Sequence, residues 1–145
     1  MIEETSSVLK TILVALDGSE ISIRVAETLS YLVLSPDTKV IFCHVFPPPE
    51  PKMDIPADRP VNAVGFPYFE MEKQLQSYKE KLSVNSELEL VNGEPSEEIV
   101  RLANIHQADL IVIGSRGLTG IKRIIQGSVS SQVIEAANCS VMVVK

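Results

Sequence analysis

The chain is short of most features by which a sequence declares its chemistry. It has no Gly-Lys-Ser/Thr triplet and therefore no Walker phosphate loop. No G-x-G-x-x-G follows its first apolar run, which removes the dinucleotide fingerprint. Only two cysteines occur, Cys43 and Cys139, each in or beside an apolar run, and no Cys/His cluster has metal-ligand spacing. Both read as buried free thiols rather than as a disulfide. Basic residues are outnumbered, 13 Lys and Arg against 19 Asp and Glu, and the net charge of −6 argues against general affinity for nucleic acid or an anionic membrane. No apolar run approaches the ~20 residues that cross a bilayer. The opening M-I-E-E-T-S-S is acidic and polar, unlike a secretory signal, so a cytoplasmic protein is expected.

What is present suits one compact domain, 1–145, with 45% hydrophobic and 22% charged residues. Thr11–Leu16 and Val40–Val45 are short runs rich in β-branched residues, as in strands covered on both faces. Between them Ser22, Val25, Ala26, Leu29, Leu32 and Val33 follow helical spacing, and Ser35-Pro36-Asp37 stops that helix. Phe46–Pro67 holds seven of the nine prolines, so neither helix nor central strand is expected there. That stretch reads as a long surface excursion, a flap over a ligand or a partner arm. Met71, Leu75, Tyr78 and Leu82 predict an amphipathic helix, and Glu87–Val91 alternates as an edge-like strand. Pro95 opens a further helix whose inner stripe is Ile99, Leu102, Ala103 and His106. Asp109–Ile113 is a fourth strand, Val129, Val133, Ala136 and Ala137 mark a last helix, and Ser140–Val144 is a final apolar strand. Alternating strands and helices predict an α/β domain with a parallel five-stranded sheet and helices on both faces.

The stretch Ile113–Ser130 carries the chemistry. Gly114 and Gly117 follow a buried strand, nine residues intervene, and Gly127-Ser128 then precedes a helix. Glycine after a strand lets a ligand approach the backbone, and a helix start offers N–H groups and partial positive charge to an anion. The same residues also read as ordinary turn punctuation with Ser128 as a helix cap. Arg116, Lys122 and Arg123 form the only basic cluster and read either as phosphate neutralisers or as a solvated face. Asp17 has two readings as well: a helix cap in a box with Glu20, a place Ser19 could take instead, or a carboxylate at a strand's carboxyl end, where open α/β sheets bind ligands. His44 reads as a satisfied core or strand-end histidine, and His106 has no visible catalytic partner. Ile121, Ile124 and Ile125 suggest a short helical turn within the loop.

Gly114-x-x-Gly117, nine residues, then Gly127-Ser128 resembles the nucleotide-binding signature of the universal stress protein family. Thr11–Ser19 (T-I-L-V-A-L-D-G-S) and Cys139–Lys145 (C-S-V-M-V-V-K) extend the likeness over nearly the whole chain. The resemblance implies strand order 3-2-1-4-5 in a Rossmann-like, adenine nucleotide alpha hydrolase-like fold. It places backbone around Ala15 and Val45 beside an adenine and Asp17 at the ribose. Ile113, Gly114 and Gly117 would line the ribose-phosphate path, and Gly127, Ser128, Val129 and Ser130 would serve the phosphates; Arg116 is added to these for its place between the two glycines, apart from the resemblance. ATP, or AMP or ADP, is the implied ligand, with Mg2+ or Mn2+ bridging phosphate oxygens.

On this reading the protein is a small ATP-binding stress-response or signalling protein of the universal stress protein type. No general base, nucleophile–His pair or carboxylate dyad stands out, so slow hydrolysis or autophosphorylation at Ser128 or Ser130 has no support beyond the hydroxyls themselves. In the implied order Ser140–Val144 is a sheet edge, and pairing with its own copy predicts a homodimer. Two other classes stay open: a nucleotide-free homodimeric interaction protein, and an enzyme that adenylates a substrate with ATP.

Overall fold

The structure is a computed structural model and describes residues 9–17, 20–32, 34–47, 62–82, 84–115 and 129–145. Among the described residues five strands alternate with four α-helices: β1 (Thr11–Ala15), α1 (Glu20–Thr28), β2 (Lys39–Phe46), α2 (Asn62–Glu80), β3 (Asn85–Asn92), α3 (Pro95–His106), β4 (Leu110–Gly114), α4 (Val129–Ala136) and β5 (Ser140–Val144). Every strand pair is parallel and the order is β3-β2-β1-β4-β5, as expected for the α/β class and the implied topology. β1 is central, with Ala15 opposite both Cys43 of β2 and Ile113 of β4.

Strand alternation sorts the core into two layers. Ile12, Val14, Leu16, Val40, Phe42, Leu110 and Val112 pack with Val25, Leu29, Leu75 and Tyr78, so α1 and α2 cover one face. Leu13, Ala15, Ile41, Cys43, Val45, Ile111 and Ile113 pack with Ile99, Leu102, Ala103 and Val133, so α3 and α4 cover the other. The inner strands are mostly apolar because both faces are covered.

The amino ends of the strands are laced together by polar side chains. Lys10 and Thr11 N–H groups both donate to Asp109 Oδ2, at 2.9 and 3.0 Å. Thr38, 0% exposed, donates from Oγ1 to the Leu9 carbonyl at 2.7 Å and accepts the Ser35 N–H at 3.1 Å. Thr38→Val keeps the shape and removes both bonds. It is expected to cost about 1–3 kcal/mol, because a carbonyl and an amide lose their partner in a buried setting. A urea midpoint within error of the wild type would contradict this.

Several boundaries differ from the sequence expectation. α1 ends at Thr28 and passes into a 3-10 turn, Leu29–Tyr31, before Pro36 is reached. Thr28 Oγ1 donates back to the Arg24 carbonyl and Ser30 Oγ to the Glu27 carbonyl, bonds of the kind that loosen a helix end. Leu32 continues on the buried side as extended chain. The proline-rich stretch expected to lack regular structure is shorter than Phe46–Pro67. Phe46 closes β2 and residues 62–67 already belong to α2. Pro67 lies five residues into that helix, past its first turn, so its missing N–H forfeits the backbone bond to the Ala63 carbonyl. Residues 48–61 of the stretch lie outside the described residues. In α4 and just past it, Val133 is buried and Val129 and Ala137 pack on the core as expected, Ser130 is buried as well, and Ala136 alone of the expected stripe is exposed.

Candidate functional site

At the carboxyl end of the sheet, three side chains expected at a ligand site share one face. Ala15 closes β1, Ile113 is its register partner on β4, and Val45 lies two residues beyond Cys43 on β2. All three belong to the α3/α4 layer, where they are buried, and Val129 at the start of α4 packs on the same cluster. Gly114 ends β4, half-buried and paired with Val144, and the Ser115 N–H continues the ladder to the Val144 carbonyl at 2.8 Å. Ser130 follows Val129 and is buried. Arg116, Gly117, Gly127 and Ser128 lie outside the described residues, as do Lys122, Arg123 and the isoleucine turn at 121–125.

Asp17 stands two residues past the end of β1 and is half-buried. The first described residue of α1 is Glu20, and residues 18 and 19, which separate it from Asp17, lie outside the described residues.

The other face of the same end carries a group the sequence reading did not assemble. His44 is buried in β2, and its Nδ1–H donates to the Leu16 carbonyl at 2.7 Å, which fulfils the expectation of a satisfied strand-end histidine. A carbonyl can only accept, so neutral His44 carries its proton on Nδ1. Burial pushes the His44 pKa below its ordinary value, against smaller upward pulls from the Leu16 bond and the Asp17 charge. The same carboxylate reaches Tyr78 of α2, whose phenol is raised first by burial, with a hydrogen bond from Gln74 opposing and Asp17 adding. Asp17 is thus electrically linked to both β2 and α2. His44 meets Phe46 edge-on at 4.6 Å between ring centroids, and Phe46 stacks on Tyr68 at 5.6 Å. Phe42, His44 and Phe46 alternate along β2, and that period was the available signal. The Gly93 N–H, on the β3–α3 turn, donates to the Phe46 carbonyl at 3.0 Å and ties the neighbouring strand end to this cluster.

Among the described residues, this end offers small and apolar side chains on one face, the Asp17 carboxylate just past the end of β1, and the start of a helix. Among the described residues, the one group of three metal-donor side chains with converging ligand atoms is Glu87, Glu89 and His106, on β3 and α3.

Residues 9–145 match the family model described as the universal stress protein family. Over 149 aligned residues the chain is 32% identical to a universal stress protein of Methanocaldococcus jannaschii, covering 100% of this chain and 87% of that protein. The solved structure of the hypothetical protein MJ0577, from the same organism, superposes with a TM-score of 0.75 at 28% identity, covering 95% of this chain and 96% of that one. A universal stress protein from Archaeoglobus fulgidus, solved in complex with dAMP, superposes with a TM-score of 0.65 at 26% identity, covering 95% and 99%.

Proposed function

The chain belongs to the universal stress protein family, and on that footing we propose that it binds an adenine nucleotide at the carboxyl ends of β1 and β4. Its role is that of a stress-response or signalling protein whose output is a nucleotide-dependent change of surface rather than rapid turnover. The observation that carries this reading is the convergence of Ala15, Val45, Ile113 and Val129 on one face, with Asp17 at the adjoining strand end. The Archaeoglobus relative solved with dAMP supports it. Ala15 and Gly114 leave little or no side chain between a ligand and the backbone. An adenine would lie against the apolar strand ends and Asp17 would accept bonds from ribose hydroxyls. Phosphates would face N–H groups at the approach to α4, through Gly127, Ser128, Val129 and Ser130. Mg2+ or Mn2+ would be held by phosphate oxygens when a triphosphate is bound, where it neutralises charge. In this reading the protein works in the cytoplasm; among the described residues no helix is long and apolar enough to cross a membrane.

A second reading concerns assembly. β5 is an edge strand with Val141–Val144 only half-buried, which favours pairing with a second copy along Ser140–Val144. One experiment addresses both readings. Native mass spectrometry of protein incubated with Mg-ATP is expected to give a dimer mass with one nucleotide per chain. A thermal shift of about 2.7 kcal/mol should accompany ligand at 100 times its Kd. Gly127→Leu is expected to remove the nucleotide and leave the dimer. A protein that takes up no ATP, ADP or AMP at millimolar concentration would overturn the nucleotide reading, and a monomer mass would overturn the second.

A further inference from the structure

We infer that Glu87, Glu89 and His106 form a binding site for a zinc-type divalent cation between the edge strand β3 and the end of α3. Glu87 and Glu89 lie two apart on the edge strand β3 and so project to one side, opposite Ile41 and Cys43 of β2. Leu88 and Leu90 fill the α1/α2 layer, which places the two carboxylates on the α3 side. α3 delivers the third donor at its last residue, His106, and Gln107 ends the helix in the left-handed conformation with φ 55°. His106 Nε2 lies 3.0 Å from Glu89 Oε2, and one ligand atom from each of the three residues falls within 4.8 Å of the others. Around tetrahedral zinc, with bonds of 2.0–2.2 Å, donors stand about 3.4 Å apart, so small side-chain rotations bring this set onto one ion.

The donor chemistry narrows the ion. One imidazole with two carboxylates suits zinc and its neighbours, whereas magnesium and calcium favour all-oxygen shells. A fourth position would be left to water. Loading breaks the Nε2–H···Oε2 bond: the imidazole proton passes by exchange with water to Nδ1, and the freed Nε2 lone pair and the Glu89 oxygen both turn to the metal. Lys39 is the resident competitor, with Nζ 3.2 Å from Glu87 Oε2. The Arg101 guanidinium on α3 is already engaged by Glu98, at 2.6 and 2.9 Å. The three donors come from β3 and α3, and none of them is among the residues proposed for the nucleotide.

The test is calorimetric titration of tag-free, nucleotide-free protein with Zn2+, repeated with Co2+ while recording its visible absorption. One ion per chain is expected at micromolar affinity or tighter. His106→Ala and Glu89→Gln should each weaken it at least about tenfold, by loss of a direct ligand. Lys39→Gln should tighten it several-fold by removing the competing ammonium, a change that a purely structural ion-pair network does not predict. Far-UV circular dichroism checks that each variant folds, and Glu89→Gln stands in where His106→Ala does not. Absence of uptake at tens of micromolar metal overturns the inference. So does uptake that is unchanged in both ligand variants, since the ion is then held elsewhere.

Discussion

Asp17→Ala is expected to weaken Mg-ATP binding by about 10- to 150-fold. A carboxylate that accepts bonds from ribose hydroxyls contributes about 1.5–3 kcal/mol, and each 1.4 kcal/mol is a factor of ten in affinity. At a ligand concentration 100 times the wild-type Kd, a hundredfold loss lowers the stabilisation from about 2.7 to about 0.4 kcal/mol. Asp17→Asn retains one acceptor oxygen and should recover part of the loss. The melting temperature of each nucleotide-free variant separates a binding effect from a folding effect. Loss of the Asp17 charge also removes an upward pull on His44, whose pKa is already held down by burial. His44 then stays neutral at pH 7.5, so an assay there is not confounded by a new charge on β2. Unchanged affinity in Asp17→Ala would confine this residue to the approach to α1, and the ribose would have to be held by other groups.

Much of this fold was legible because its strands are buried on both sides. Thr11–Leu16, Val40–Val45 and Asp109–Ile113 are nearly pure apolar runs, and the strands lie within two residues of those bounds. Helix ends were harder to read. The hydrophobic stripe through Leu29 and Leu32 continues past the end of α1, because extended chain can keep a leucine on the core as well as a helix can. Composition suggested no helix within Phe46–Pro67, because an interior proline forfeits a backbone bond, yet α2 starts at Asn62 and includes Pro67. Cys139 was expected to be buried and is only half-buried, because it precedes the edge strand β5 rather than an inner one.

The candidate site was legible in part, for a related reason. Asp17, Ala15, Val45 and Ile113 sit at strand ends, and strand ends follow from apolar runs. What one-dimensional spacing could not supply is pairing across the sheet. His106 appeared without a partner because Glu89 lies 17 residues earlier on a different element. The stack of His44, Phe46 and Tyr68 depends on α2 folding back over the end of β2. The two ends of the sheet also differ in kind. At the amino ends, Thr38 and Asp109 bond backbone groups of neighbouring segments and close the structure. At the carboxyl ends, Ala15 and Gly114 terminate the central strands without bulk, and the ligand is proposed at that end for this reason.

Cys43 supplies the test of how dry the floor beneath that end is. It lies on the same face as Ala15 and Val45 and is 0% exposed. Burial, with a smaller push from the Glu89 charge on the paired strand, raises its thiol pKa from 9.0 to about 12. Three pH units correspond to about a thousandfold less thiolate at pH 8 than an ordinary cysteine carries, and thiolate is the reactive form. Cys139 is raised as well, first by burial and then by Asp109, but it is half-buried. A disulfide exchange reagent at pH 8 is therefore expected to titrate one thiol in the native protein, slowly, and the second only when the chain unfolds. Cys43→Ala should leave the native reaction unchanged, whereas Cys139→Ala should abolish it. Stability carries the same signature with a definite sign. Between about pH 9 and 12 the unfolded chain releases the Cys43 proton while the native chain keeps it, so stability falls as pH rises through that window. From pH 8 to 10 the folding equilibrium constant should drop roughly tenfold on this account, and Cys43→Ala should lack that part of the decline. Native labelling of Cys43 as fast as that of Cys139 would mean that water and reagent reach the centre of the sheet, and an apolar floor for an adenine ring could not then be maintained.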